Sequence, residues 1–205
     1  MNSKTLLDSI MATYKSIAYD QALANPSAMV LLQEQEASGD ATISFTSGID
    51  STYKEYIFKF INIHPETDSK SFSFNGSIDA GSNYNVAKTT TFFRAQHLES
   101  GAAYAFEYLT AEDLHQGTGF QNITNWFGND ADQNASGYLH LFNPSDTTFV
   151  KHYISVANSM FTDSEASANL YGGGYLNTTS AVDAIQFKMS SGDIDAGIIK
   201  LYGVN

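Results

Sequence analysis

The chain has 205 residues, a size that suits one domain, and its net charge of −12 comes from 22 acidic against 10 basic side chains. Such a surface repels phosphate backbones, so nucleic acid is not expected as a partner. The absence of cysteine excludes disulfides, thiolate metal ligands and thiol catalysis. No apolar run approaches the roughly 18 residues of a membrane span, so the sequence predicts no membrane partner.

The first 27 residues predict a helical arm in front of the main domain. Between residues 3 and 24, apolar side chains recur at three- and four-residue spacing, which is typical of one apolar face of a helix. Pro26 ends the pattern, because proline moves the residue before it out of the helical region. The helix packs either on its own domain or on another subunit, and both alternatives stay open. The predicted interface residues of this arm are Leu6, Leu7, Ile10, Tyr14 and Ile17.

From residue 28 to residue 205 the apolar pattern has period two. Aromatic and β-branched residues alternate with polar ones in about a dozen short runs separated by turn residues, which predicts an all-β antiparallel sandwich or barrel. The runs at 29–37 and 41–47 predict a hairpin. The run at 53–64 is apolar on both faces, so we expect a central, buried strand.

The common catalytic patterns are missing. The sequence has no G-x-S-x-G nucleophile elbow, no H-E-x-x-H zinc motif and no E-x-D-x-x-E run of a sandwich glucanase. If residues 143–148 form a hairpin turn, His140 lies opposite Lys151, and His140 and His152 point to opposite faces of the sheet. The sequence therefore predicts no catalytic residue, no metal site and no cofactor. A polysaccharide-degrading enzyme stays an alternative, because acids distant in sequence can meet in the fold.

The loop at 126–134 is the best ligand candidate. Trp126, the single tryptophan, precedes a stretch rich in amides and acids, and an aromatic ring beside such groups is a common way to bind a sugar. The spacing of Asp130 and Asp132 is that of the first half of a calcium loop, but Ala135 stands where such a loop needs glycine. The candidate glycan-binding residues are Trp126, Asn129, Asp130 and Asp132.

Several segments resemble a family of structural proteins from tailed phages, many of them from marine phages of cyanobacteria. The similarity covers about residues 28–205 and is carried by 31–38, 51–65, 136–154 and 173–204. Its most specific part is the C-terminal pattern SSG-x-I-x-x-G-x-IKLYG at 190–203, which recurs at the ends of phage virion, head-fibre and tail-fibre proteins.

The resemblance implies a jelly-roll-like module built into a virus particle, with no catalytic residues to carry over. We therefore expect a jelly-roll-like sandwich at 28–205 preceded by a short helical arm at 1–27. The expected function is a non-enzymatic capsid decoration or head-fibre protein, made in the host cytoplasm and localised to the virion. Its expected partners are further copies of itself, as a trimer, and other virion proteins such as the major capsid protein. The alternative is a tail-fibre module that recognises host surface glycans.

Overall fold

The computed structural model describes residues 29–161 and 165–204. The predicted arm at 1–27 and its interface residues therefore lie outside the described residues. The described chain is nearly all β, with one short 3-10 helix at Thr110–Glu112. Its strands are β1 (Val30–Asp40), β2 (Ile43–Phe45), β3 (Glu55–Pro65), β4 (Phe72–Ser77), β5 (Lys88–Leu98), β6 (Tyr104–Tyr108), β7 (His115–Gly117), β8 (Gln121–Asn122), β9 (Ala135–Phe142), β10 (Lys151–Phe161), β11 (Ala166–Leu176), β12 (Ala184–Met189) and β13 (Ile194–Val204).

The strands form two antiparallel sheets. The large sheet has nine strands in the order β1-β13-β3-β9-β10-β11-β5-β6, and β7 also pairs with β5. The small sheet has four strands in the order β2-β12-β4-β8. The predicted all-β antiparallel sandwich is therefore confirmed.

The strand order contains that of a jelly roll in which one strand is expanded into three, with β1, β6 and β13 as additional strands of the large sheet. A jelly roll of eight strands places strands 1, 8, 3 and 6 in one sheet and strands 2, 7, 4 and 5 in the other. The small sheet matches the order 1-8-3-6, with β2 in place 1, β12 in place 8, β4 in place 3 and β8 in place 6. In the large sheet, β3, β5 and β7 take places 2, 4 and 5, and the meander β9-β10-β11 takes place 7. Because three antiparallel strands end in the same direction as one, the meander leaves the topology unchanged.

The main core lies between the small sheet and the facing half of the large sheet. Phe187 of β12 is fully buried, and its ring lies 5.1 Å from Phe58 and 5.2 Å from Phe60 on β3. Phe74 of β4 packs edge-on against Tyr153 of β10, with ring centroids 4.8 Å apart. These aromatic contacts join the two sheets.

The C-terminal motif closes the large sheet. β12 and β13 do not pair with each other, because β12 lies in the small sheet and β13 crosses to the large sheet between β1 and β3. Ile194, Ile199 and Leu201 of β13 are fully buried in the core. The motif glycine Gly197 has a φ of 128°, where the register of β13 against β3 shifts. Lys200 points outward and binds Glu34 of β1 at 2.8 Å.

The predicted hairpin at 29–47 is wrong in its pairing. Both runs are strands, but β1 pairs with β13 in the large sheet and β2 pairs with β12 in the small sheet. A side-chain contact still joins them, since the Gln35 amide donates to the Ser44 carbonyl at 2.8 Å. Alternation marks a strand with one buried face, and either sheet of a sandwich can bury that face.

The predicted register of β9 and β10 is also wrong. His140 lies opposite Ile154 instead of Lys151, a shift of three positions. An odd shift turns every side chain to the other face, so His140 and His152 both lie on the outer face of the large sheet. The cause is a longer connection than a hairpin turn, in which the Asp146 carboxylate accepts two backbone N–H groups.

The strand predicted to be central and buried, β3, is confirmed as central, between β13 and β9. Its alternation breaks between Phe60 and Ile63, where Asn62 has a φ of 51° and the register against β9 shifts. The break brings Phe60 and Ile63 into the same core, although simple alternation places them on opposite faces.

Candidate binding cleft

An open cleft of about 550 Å³ lies at one end of the sandwich. It is formed where β3 ends, where β13 begins and where the loop between β8 and β9 lies across both. Most of its lining side chains are amides or small groups. The lining residues are Asn62, His64, Asn129, Ala131, Gln133, Asn134, Asp195 and Ala196.

The loop at 126–134 is held to the sandwich by its backbone. Phe127 is fully buried and forms bridges to Lys70 and Phe161. A hydrogen bond from the Gln133 N–H to the Asp130 carbonyl at 2.8 Å closes a turn in the loop. The Gln133 side chain is buried. Gly128 makes room for that side chain, because a Cβ at this position would lie 1.6 Å from Gln133 Oε1.

Asn129 is positioned by the segment that follows β3. Its side-chain amide donates to the Glu66 carbonyl at 2.8 Å. Its backbone N–H donates to a carboxylate oxygen of Asp68 at 3.3 Å. These two contacts hold Asn129 in the lining of the cleft.

His64 joins the loop to the first residues of β13. Its Nδ1 lies 3.2 Å from a carboxylate oxygen of Asp195, and its Nε2 lies 3.3 Å from the backbone carbonyl of Asp130. These two contacts hold the imidazole ring between the loop and the start of β13. The Asp195 side chain is 55 % exposed and lines the cleft.

The structure brings only some of the sequence-predicted residues to the cleft. Asn129 lines it, and Asp130 takes part through its backbone carbonyl. Asp132 is exposed outside the lining, and Trp126 is 52 % exposed at the start of the loop with a φ of 45°. Gln133 and Asn134, which also line the cleft, belong to the predicted loop. The fold adds three polar residues from outside that loop, which the sequence did not predict: Asn62, His64 and Asp195.

The chemistry of the cleft suits hydrogen bonding better than hydrolysis. Among the described residues that line it, Asp195 supplies the single carboxylate, and its neighbour His64 already binds one of its oxygens. Cleavage of a glycoside by the usual route needs two carboxylates on either side of the bond. Amide groups, by contrast, donate and accept at once and therefore match the hydroxyl groups of a sugar.

The part of the chain that the structure describes has no cluster of three or more His, Asp or Glu side chains able to hold a metal ion. Among residues 29–161 and 165–204, no helix is both long and apolar enough to cross a bilayer. The described residues thus form a jelly-roll-like β-sandwich with an open polar cleft at one end. No family model matches the chain, and a search of the curated proteins finds no match.

Proposed function

We propose that the chain is a non-enzymatic structural protein of a tailed-phage particle, displayed on the capsid exterior as a decoration or head-fibre protein. The observation that carries the proposal is the role of the C-terminal motif. Ile199 and Leu201 fill the core, Lys200 pairs with Glu34, and Gly203 packs against the Tyr53 ring, where a Cβ would lie 2.3 Å from a ring carbon. A motif whose side chains complete the core and the large sheet is consistent with a structural, non-catalytic protein.

The jelly-roll strand order supports the same proposal. It matches the architecture expected from the resemblance to phage structural proteins, and such sandwiches are common in viral capsid domains. In this proposal residues 1–27 are an arm that joins copies into a trimer and docks on the major capsid protein. The protein would be made in the host cytoplasm and located on the virion.

Protein analysis of purified particles tests the proposal at the level of composition. We expect tryptic peptides of this chain in gradient-purified phage, at a copy number in constant ratio to the major capsid protein. Peptides confined to the lysate, with none in the particle fraction, would contradict a virion role.

A second candidate function, recognition of host surface glycans, is favoured by the cleft. Its amide-rich lining and the exposed Trp126 nearby provide the two contacts that bind sugars, hydrogen bonds and a stacking ring. A polysaccharide-degrading enzyme is the weaker alternative, because the lining supplies one carboxylate. Release of reducing ends from host envelope polysaccharide would be the evidence for that enzyme.

Glycan binding predicts a specific effect of two substitutions. On a glycan that the wild-type protein binds, we expect Trp126→Ala to raise the Kd about tenfold, because an aromatic contact contributes up to about 1.5 kcal/mol. Asn134→Ala should raise the Kd about fivefold through the loss of one hydrogen bond. The matched control is Phe149→Ala, which removes an aromatic side chain that is 70 % exposed on another loop. Equal affinities for all four proteins, or no binding across a broad glycan panel, would exclude this function.

A further inference from the structure

The outermost strand of the large sheet, β6, has one open edge. Within the described residues it pairs with β5 alone, with His97 opposite Tyr104 and Phe93 opposite Tyr108. An edge strand presents a row of backbone N–H and C=O groups that can pair with another strand. Natural edge strands are often protected by proline, charged side chains or a bulge, and of these the YAFEY sequence of β6 has one charged residue, Glu107.

The backbone groups on the open edge belong to alternate residues. Leu98 donates its N–H to the Ala103 carbonyl at 3.1 Å, and Leu109 donates its N–H to the Phe92 carbonyl at 2.9 Å. The odd-numbered residues of this stretch therefore bond to β5. Since antiparallel strands alternate the direction of these groups, the N–H and C=O of the three even-numbered residues point to the open side. Those residues are Tyr104, Phe106 and Tyr108.

The same three residues carry an aromatic surface. Tyr104 is 83 % exposed, Phe106 is 76 % exposed and Tyr108 is 55 % exposed, all on one face of the sheet. The surface continues inward, because Phe106 lies 5.6 Å from Phe93, which stacks on Tyr171 at 5.0 Å. A contiguous aromatic patch of this kind marks an interaction site on a soluble protein.

The aromatic residues of β6 are placed symmetrically about Phe106. With Phe106 opposite Phe106 of another antiparallel copy, Tyr104 lies opposite Tyr108 and every aromatic ring has an aromatic partner. A two-fold interface requires this self-complementarity. We propose that β6 binds β6 of a second copy of this chain, antiparallel and about a two-fold axis through Phe106, which extends the large sheet across two molecules.

The charges of the strand are compatible with this pairing. For a chain with a net charge of −12, self-association is favoured where carboxylates are absent or neutralised. Glu107, the charged residue of β6, is bound by Arg94 of its own chain at 2.9 Å and 3.0 Å. In the proposed register Glu107 lies opposite Ala105 of the second copy, so no two carboxylates face each other across the strand pair.

Single cysteines in the full-length chain test the register, because the natural sequence has no cysteine. In Phe106→Cys the two Cα atoms would lie about 5.5 Å apart, a distance that a disulfide spans. In Tyr104→Cys the two copies of residue 104 would lie about 14 Å apart, too far for a disulfide. Under mild oxidation we expect crosslinked dimers from Phe106→Cys, none from Tyr104→Cys alone, and dimers again when Tyr104→Cys is mixed with Tyr108→Cys. Equal crosslinking in every sample, or none in any, would overturn the proposal.

A substitution at the axis gives an independent readout. Phe106→Asp places two carboxylates against each other in the pair and should at least halve the mass that light scattering measures for the full-length wild-type protein. Phe149→Asp, an equivalent change at an aromatic that is 70 % exposed elsewhere, should keep the wild-type mass. Far-UV circular dichroism checks that both variants are folded. A folded Phe106→Asp variant with the wild-type mass would contradict the two-fold contact, whether or not the arm at 1–27 forms trimers.

Discussion

Replacing Phe187 with alanine is expected to lower the free energy of unfolding by about 3–5 kcal/mol, the range for removal of a buried phenylalanine. Phe187 is fully buried on the inner face of β12. Its ring lies 5.1–5.6 Å from those of Phe58, Phe60 and Phe72, and 6.1 Å from that of Phe45. Three of these rings meet it edge-on at interplanar angles of 64–85°, and Phe72 is stacked on it, so the surrounding core cannot close around the cavity without breaking ring contacts.

Urea unfolding followed by intrinsic fluorescence measures this loss. The control is Phe149→Ala, since a phenylalanine that is 70 % exposed should change the free energy of unfolding by less than about 0.5 kcal/mol. If Phe187→Ala lost no more than this control, the aromatic contacts between the two sheets would not be what stabilises the sandwich.

The second large effect concerns a buried lysine and depends on pH. Lys88 at the start of β5 is fully buried, and its ammonium group donates to Asn75 Oδ1 at 2.5 Å and to the Val86 carbonyl at 2.8 Å. Both acceptors are neutral oxygens, so no opposite charge compensates for the lost hydration. Burial therefore lowers the pKa of Lys88 from 10.5 to about 7.

The sign of the pH effect follows from this lowered pKa. Between about pH 7 and 10.5 the unfolded chain holds a proton on Lys88 that the folded chain has released, so the free energy of unfolding rises with pH. Below about pH 7 both states are protonated and the contribution stays constant. The slope approaches about 1.4 kcal/mol per pH unit within this window, and because Lys88 is half-titrated at pH 7 the change between pH 7 and 9 is about 2 kcal/mol.

Lys88→Met removes this titration. We expect the difference in unfolding free energy between wild type and Lys88→Met to grow by about 2 kcal/mol in favour of the wild type from pH 7 to pH 9. Lys54→Met, a change at an exposed lysine, should show no such trend. Urea midpoints at three pH values give the measurement. A difference that is independent of pH would mean that Lys88 keeps its ordinary pKa in the folded protein.

The strands of this fold could be predicted from the sequence, but their partners could not. Alternation identifies β12 and places Ile185, Phe187 and Met189 on its buried side, because period two is a local property. Alternation says nothing of which sheet buries that side. The runs that become β1 and β2 therefore predict a hairpin, although the chain changes sheet between them.

The register of two paired strands also cannot be predicted from the sequence when the loop that joins them is longer than a tight turn. The connection between β9 and β10 is organised by Asp146, whose carboxylate accepts the N–H groups of Thr148 and Phe149. These bonds also lower the pKa of Asp146. A carboxylate can make such contacts in many loop conformations, so the sequence does not specify the shift that turns His140 to the same face as His152.

The candidate cleft could be predicted only in part, because its residues come from segments that are far apart in the sequence. The loop at 126–134 can be recognised because its tryptophan, amides and acids are adjacent in sequence. His64 and Asp195 come from the paired strands β3 and β13, which lie far apart in the chain and meet only in the fold. The irregularity at Asn62, which helps to form the cleft wall, has no signal in an alternating pattern.

The central claim, that the sandwich is displayed on a phage particle, is tested most directly by immunogold electron microscopy of purified particles with an antibody against the sandwich. Gold distributed over the heads is the predicted result and would place the arm on the capsid lattice. Gold confined to the tail would contradict the capsid position and favour the host-recognition function of the cleft. Unlabelled particles, under conditions in which the same antibody binds the purified protein, would contradict display on the virion altogether.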